Sequence, residues 1–168
     1  HARKAGILRP RDLRDMGIAR TYIQRMMAKN HLVRVGRGLY MLTNHEPTEN
    51  HALAEAGKRV PHGVLCLLTA LRFHEIGTQL PHEVWMAIDV KAWSPKVDFP
   101  RIRFVRFSGQ ARTEAVETHD IEGVPVKIYS AAKTVADCFK YRNKIGLDVA
   151  LEALRECLRA RKATREQV

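Results

Sequence analysis

Within its first 43 residues the chain sets two short helical patterns on either side of a glycine and follows them at once with a hairpin. In ILRPRDLRDMG, Pro10 stands where a helix begins, because its missing N–H costs nothing in the first turn, and Gly17 stands just past the end. Leu8, Leu13 and Met16 supply the buried side of that helix. IARTYIQRMMAKN then places apolar residues at Ile18, Tyr22, Ile23, Met26 and Met27, a helical stripe, and Asn30 closes it in a left-handed conformation. HLVRVGRGLYMLT (31–43) reads as two strands around Gly36-Arg37-Gly38. The two glycines take the turn, Val33, Val35, Leu39 and Met41 anchor the strands, and Arg37 reaches outward. Helix, tight turn, helix, hairpin is the order of a winged helix-turn-helix unit, whose second helix fits the DNA major groove and whose hairpin is the wing. Residues 1–6 are then the tail of a truncated first helix. The chain opens on His1 rather than methionine, so it is expected to begin late.

Charge singles out the same stretch. Residues 1–43 hold ten Lys/Arg against Asp12 and Asp15, a net +8, while residues 44–168 carry only +3 of the total of +11. A concentrated positive lobe on a nearly balanced remainder points to a polyanion-binding module with a second domain attached. No run approaches the roughly 18 apolar residues of a membrane span, and no charged-then-apolar export signal opens the chain. Cys66, Cys138 and Cys157 are odd in number, far apart and set in apolar patterns, as reduced core residues of a cytoplasmic protein would be.

Past residue 44 the pattern changes. NHEPTEN (44–50) reads as a loop, 51–58 as a short helix, and Pro61 opens a longer one, HGVLCLLTALRFHEI, apolar almost all round and so central and buried. EVWMAID (83–89) and RIRFVRF (101–107) read as strands, and VETHDIEGVPVKIYS as a further pair around Glu122-Gly123. Ser130 is the N-cap of AAKTVADCFKYRN. The last helix, IGLDVALEALRECLRARK, aligns Leu147, Ala150, Leu151, Leu154 and Leu158 on one face, with Glu152–Arg155 and Glu156–Arg159 as solvent-side pairs. The expected architecture is α+β: a winged helix-turn-helix domain over 1–44, then an α/β domain over 45–168 with a small mixed sheet and flanking helices.

Side-chain chemistry assigns roles on double-stranded DNA. Arg20 and Arg25 suit forked contacts to guanine or phosphate, Gln24 the donor–acceptor pair of adenine, and Thr21 a phosphate or a thymine methyl group. Arg9, Arg11 and Arg14 lie on or beside the first helix and suit the sugar–phosphate backbone, while Arg34 and Arg37 ride on the wing. No metal site is expected, because His62, His74 and His82 are too irregularly spaced and no Cys-x-x-Cys or His-Glu-x-x-His pattern occurs. A metal-dependent nuclease is the less favoured alternative. It rests on Asp89-Val90-Lys91 at a strand end and needs a second acid such as Glu75 or Glu83. No phosphate loop or nucleophile pairing stands out, so neither catalytic residues nor cofactors are expected.

With these motifs in view the chain resembles the AbiEi-type antitoxins of bacterial type IV toxin–antitoxin systems. The resemblance lies in GILRPRDLRDMGIARTYIQRMMAKNHLVRVGRGLY (6–40), RVPHGVLCLLTALRFHEI (59–76), LPHEVWMAI (80–88) and SAAKTVADCFKYRNKIGLDVALEAL (130–154). It implies an N-terminal winged helix that represses its own operon at inverted repeats. It also implies a C-terminal domain acting as antitoxin against a nucleotidyltransferase-like toxin; a regulator lacking antitoxin activity is the alternative. In that light Lys133, Asp137, Lys140 and Arg142 are candidates for a polar face engaging the toxin, its RNA substrate or the first domain. Read from spacing alone, Lys133 and Asp137 are a helix-surface ion pair.

Overall fold

A computed structural model describes residues 6–168. The expected tail of a first helix, residues 1–6, lies outside the described residues except for Gly6. The described part of the N-terminal unit runs from a two-residue strand, β1 (Ile7–Leu8), through α1 (Pro10–Asp15), α2 (Arg20–Ala28) and β2 (Leu32–Gly36) to β3 (Leu39–Leu42). Pro10 does open α1, and Asp12 reaches back to accept the Arg9 amide at 2.8 Å, satisfying a donor at the helix start. Asn30 ends the second helix with φ 54°, the left-handed cap its sequence position implies.

β3 lies between β1 and β2, antiparallel to both. The two faces of this small sheet go to different places. Leu8, Leu32, Tyr40 and Leu42 pack with Leu13 and Ile23 of the two helices. Ile7, Val35 and Leu39 face the other way, into the core of the second unit. Burial on opposite faces places Leu32 and Leu39 in different cores. It also corrects the expected buried sets: Met16, Tyr22 and Val33 are 41%, 52% and 42% exposed, and Ile7 and Leu32 take their places. At the wing tip Gly36 pairs with Leu39, leaving Arg37-Gly38 as the central turn residues. Only Gly38, at φ 67°, needs the left-handed region, as the second central position of a type II turn does. Arg37 occupies the first central position, which accepts ordinary residues.

The second unit is built on a five-stranded mixed sheet. After α3 (His51–Arg59) come β4 (Val64–Leu65), α4 (Leu67–Phe73), β5 (Val84–Asp89), β6 (Ile102–Phe107), α5 (Gln110–Thr113), β7 (Val116–Ile121) and β8 (Val124–Tyr129). The helices α6 (Ala131–Lys140), α7 (Arg142–Ile145) and α8 (Leu147–Arg159) close the chain. Strand order is β6-β5-β4-β8-β7, with β5–β6 and β4–β8 parallel and the other two pairs antiparallel. One face, through Trp85, Ala87, Val105, Phe107 and Tyr129, packs on α4, α6 and α8. The other, through Met86, Ile88, Val126 and Ile128, packs on α3 and on Ile7 and Leu39 of the first unit. The β7–β8 turn has φ 54° at Glu122 and 74° at Gly123, the two positive values of a type I′ hairpin.

Two expectations are corrected here. The long helix expected from Pro61 is a central strand followed by a seven-residue helix. A strand covered on both faces has no alternation to show, so VLCLLTAL resembles a buried helix. In α8 the buried stripe is Val149, Ala150, Ala153 and Cys157, while Leu147 and Leu151 are exposed. Small residues serve there because α6 and α8 lie close together. Of the expected solvent-side pairs, Glu156–Arg159 forms at 3.2 Å. Glu152 instead accepts from Thr78 Oγ1, and Glu156 also accepts from the Gly77 amide. The three cysteines are free and buried, and burial pushes their thiols up in pKa.

Candidate nucleic-acid interface

The residues suited to DNA are carried by α1, α2 and the β2–β3 hairpin of the N-terminal unit. On α2, Thr21, Gln24 and Arg25 are exposed, and their i, i+3, i+4 spacing puts them on one face. Ile23, on the opposite side, is buried against Leu13 and Leu32, and this fixes which way the polar face points. Arg20 opens the helix; its side chain lies outside the described atoms. Arg11 and Arg14 on α1 are exposed, as are Arg34 and Arg37 on the wing. Thr21, Gln24, Arg25, Arg11, Arg14 and Arg37 have no side-chain partner among the described residues, so their hydrogen-bonding capacity is turned to solvent.

Two members of the sequence-predicted set are engaged otherwise. Arg9 is half-buried at the start of α1, and desolvation lowers its guanidinium pKa. Arg34 bends its Nε–H back onto the Gly36 carbonyl at 3.2 Å, bracing the wing near the bulge between Arg34 and Gly36. Apart from Arg20, the predicted residues therefore divide into six exposed side chains and two, Arg9 and Arg34, that also shape the scaffold.

This unit is bolted to the second. Lys58 of α3 forms an ion pair with Asp12 of α1, and Arg59 reaches Gly36 on β2 while holding Glu55 through Nε and Nη2 at 3.0 and 2.6 Å. At the same junction is a cluster the sequence reading left out. Oε2 of Glu122 accepts from His45 Nε2 at 3.0 Å and His51 Nδ1 at 2.7 Å, and Oε1 accepts from the Thr48 amide and hydroxyl at 2.7 and 2.8 Å. Burial raises the Glu122 pKa, but these hydrogen bonds outweigh it and hold the carboxyl down at about 2. In sequence the only hints were two histidines bracketing a polar loop and an acidic residue in a turn.

The expected polar face of the second domain divides in two. Lys133 and Asp137 form an ion pair at 2.8 Å, with side chains only 12% and 7% exposed, and the ammonium lies 4.5 Å from the Tyr129 ring centroid. They line a cavity of about 900 Å³ with His74, Ser130 and Lys162. Burial raises the Asp137 pKa despite the Lys133 hydrogen bond and the Lys133 and Lys140 charges. Lys140 and Arg142 are exposed outside that cavity, Arg142 bonding the Phe139 carbonyl, because the chain turns from α6 into α7 between them. The acids of the nuclease alternative are also kept apart. Glu83 precedes β5 and Asp89 ends it, so about 20 Å of strand separates them. Asp89 pairs with Arg112 at 3.3 Å, Glu83 with Arg103 at 3.0 Å, and Glu75 with Lys162 at 3.6 Å.

The fold comprises a winged helix-turn-helix unit with exposed arginines on α1, α2 and the wing, joined to an α/β unit. Residues 1–43 match the family described as transcriptional regulator, AbiEi antitoxin, and the match supports the resemblance seen in the sequence. No curated protein matches the chain. Among the described residues, no helix is long and apolar enough to cross a membrane.

Proposed function

We propose that the chain is a DNA-binding transcriptional repressor that controls its own toxin–antitoxin operon. The observation that carries this reading is the exposed face of Thr21, Gln24 and Arg25 on α2, without side-chain partners among the described residues, in a unit that also exposes Arg11, Arg14 and the wing-tip Arg37. Base contacts from α2 supply sequence preference, and arginines on α1 and the wing supply salt-sensitive grip on phosphate. Arg20, at the first position of α2, joins the base-reading set. The operator is double-stranded DNA with inverted repeats, and the site of action is the cytoplasm. The protein acts in this role without catalysis.

Residues 1–44 serve in this reading as the DNA-binding domain and 45–168 as an antitoxin domain against a nucleotidyltransferase-like toxin. The cavity holding Lys133 and Asp137, with Lys140 and Arg142 outside it, offers a polar surface for that partner. Gel-shift titration with the chain's own promoter tests the first role. The Arg20→Ala/Arg25→Ala double variant is expected to lose sequence preference, and retention of full preference would remove α2 from the interface. Co-expression with the product of the neighbouring gene tests the second role, since rescue of growth is expected from the full chain. Absence of rescue with soluble protein present leaves a regulator without antitoxin activity.

A further inference from the structure

We propose that His45, His51 and Glu122 form a binding site for one divalent transition-metal ion, with zinc the best match, at the junction of the two units. The donors are His45 Nε2, His51 Nδ1 and Glu122 Oε2, all within 4.8 Å of one another. Glu122 Oε2 lies 3.0 Å from the first nitrogen and 2.7 Å from the second. Donors about 2.0–2.2 Å from a common zinc ion stand roughly 3–3.5 Å apart, so the two carboxylate–imidazole separations come within a few tenths of an ångström of those of a bound ion. Two imidazoles and one carboxylate suit zinc, and they leave a fourth position for water.

Three further observations favour a cation here over a purely hydrogen-bonded cluster. The Glu122 side chain is 2% exposed, and among the described residues its only potentially cationic partners are the two histidines. A buried carboxylate without a cation is costly, and a divalent ion supplies the missing charge. Second, the carboxylate is already oriented from behind: Thr48 binds Oε1 twice, leaving Oε2 to face the rings, as outer partners of metal-bound carboxylates do. Third, Gly6 passes so close that an added Cβ would stand 2.5 Å from His45 Nε2 and 2.7 Å from Glu122 Oε2. Its amide donates to the Glu122 carbonyl at 2.7 Å, so the first unit walls the site while loop, α3 and hairpin supply the donors. Neutral rings need only change tautomer to present lone pairs where they now donate.

The site would act as a clasp between the units, and it stands independently of the DNA reading. Tag-free full-length chain, treated with chelator, is titrated with Zn²⁺ against a chromogenic competitor and with Co²⁺ followed by visible absorption. One ion per chain is expected, with a Co²⁺ spectrum of low coordination number. His45→Ala and His51→Ala should each weaken binding by more than 100-fold, beyond the roughly 10–100-fold of an outer-partner change such as Thr48→Ala. His62→Ala, an exposed histidine outside the cluster, should leave binding unchanged. Circular dichroism confirms that each variant is folded. Failure of the parent chain to take up one ion, or parental affinity in folded His45→Ala or His51→Ala, overturns the proposal. The parent titration alone decides if those variants do not fold.

Discussion

The guanidinium of Arg59 lies against Gly36, its Cζ 3.1 Å from where a Cβ would stand, so a helix of the second unit touches the strand that leads into the wing. Arg59 cannot simply swing aside, because Glu55, only 2% exposed, depends on it for charge balance. Gly36→Ala is expected to destabilise the chain by about 1–3 kcal/mol, and Arg59→Ala by about 3–5 kcal/mol because it strands a buried carboxylate. Urea denaturation of the two variants checks both figures, and a smaller loss in Arg59→Ala than in Gly36→Ala would contradict the argument.

The Asp12–Lys58 pair makes the junction sensitive to acid. Burial raises the Asp12 pKa, but the Lys58 hydrogen bond, the Arg9 amide and the nearby positive charges outweigh it, so the carboxyl sits below its usual 3.8. A depressed carboxyl contributes stability that is fully present above the unfolded value and is lost as pH falls through the folded one. Asp12→Asn should therefore be less stable than the parent by up to about 1 kcal/mol at pH 6, the difference shrinking below pH 3.8. Paired thermal melts at pH 6, 4 and 3 measure it; a difference that widens on acidification would refute the sign.

On DNA, Arg25 and Arg37 should behave differently. Removal of a base-reading arginine costs about 1–3 kcal/mol of discrimination, whereas removal of a phosphate contact weakens all sequences alike. Arg25→Ala is expected to narrow the gap between operator and random DNA. Arg37→Ala should instead lower the slope of log K against log salt by about one. Anisotropy titrations at several salt concentrations separate the two, and the reverse pattern would exchange their assigned roles.

The Lys133–Asp137 pair is a different case, since both partners are largely buried. Lys133→Met leaves the buried Asp137 carboxyl without its paired ammonium, at an expected cost of about 3–5 kcal/mol. The double variant Lys133→Met/Asp137→Leu should recover most of that loss. Denaturation midpoints decide, and no recovery in the double variant would show that packing of the lysine stem matters more than its charge.

Much of the first unit was legible because its signals are local. Pro10, Asn30 and Gly38 each act within a turn or two of their own position, and Thr21, Gln24 and Arg25 share a face by helical spacing alone. Strand β1 was not legible: two residues show no period, and their partners Met41 and Tyr40 lie more than thirty positions on. In the second unit β5 through β8 were visible, whereas Val64–Leu65 hid inside an apolar run because both faces of that strand are covered. On α8 the expected stripe was right at Ala150 but otherwise drawn to leucines, which signal hydrophobicity more loudly than Ala153 and Cys157, the residues buried there. Glu122 announced a turn but not its company. His45, Thr48 and His51 are brought to it only when the hairpin folds across α3.

Hairpin tips are usually where a chain tolerates extra residues, since nothing beyond the turn depends on their placement. The two-residue tip at Glu122-Gly123 is an exception, because its carboxylate and carbonyl together engage Gly6, His45, Thr48 and His51. Lengthening this loop by even one residue would withdraw those anchors simultaneously. Among related chains, drift in length is therefore expected at the wing tip, where nothing lies near Gly38, and not at this second hairpin.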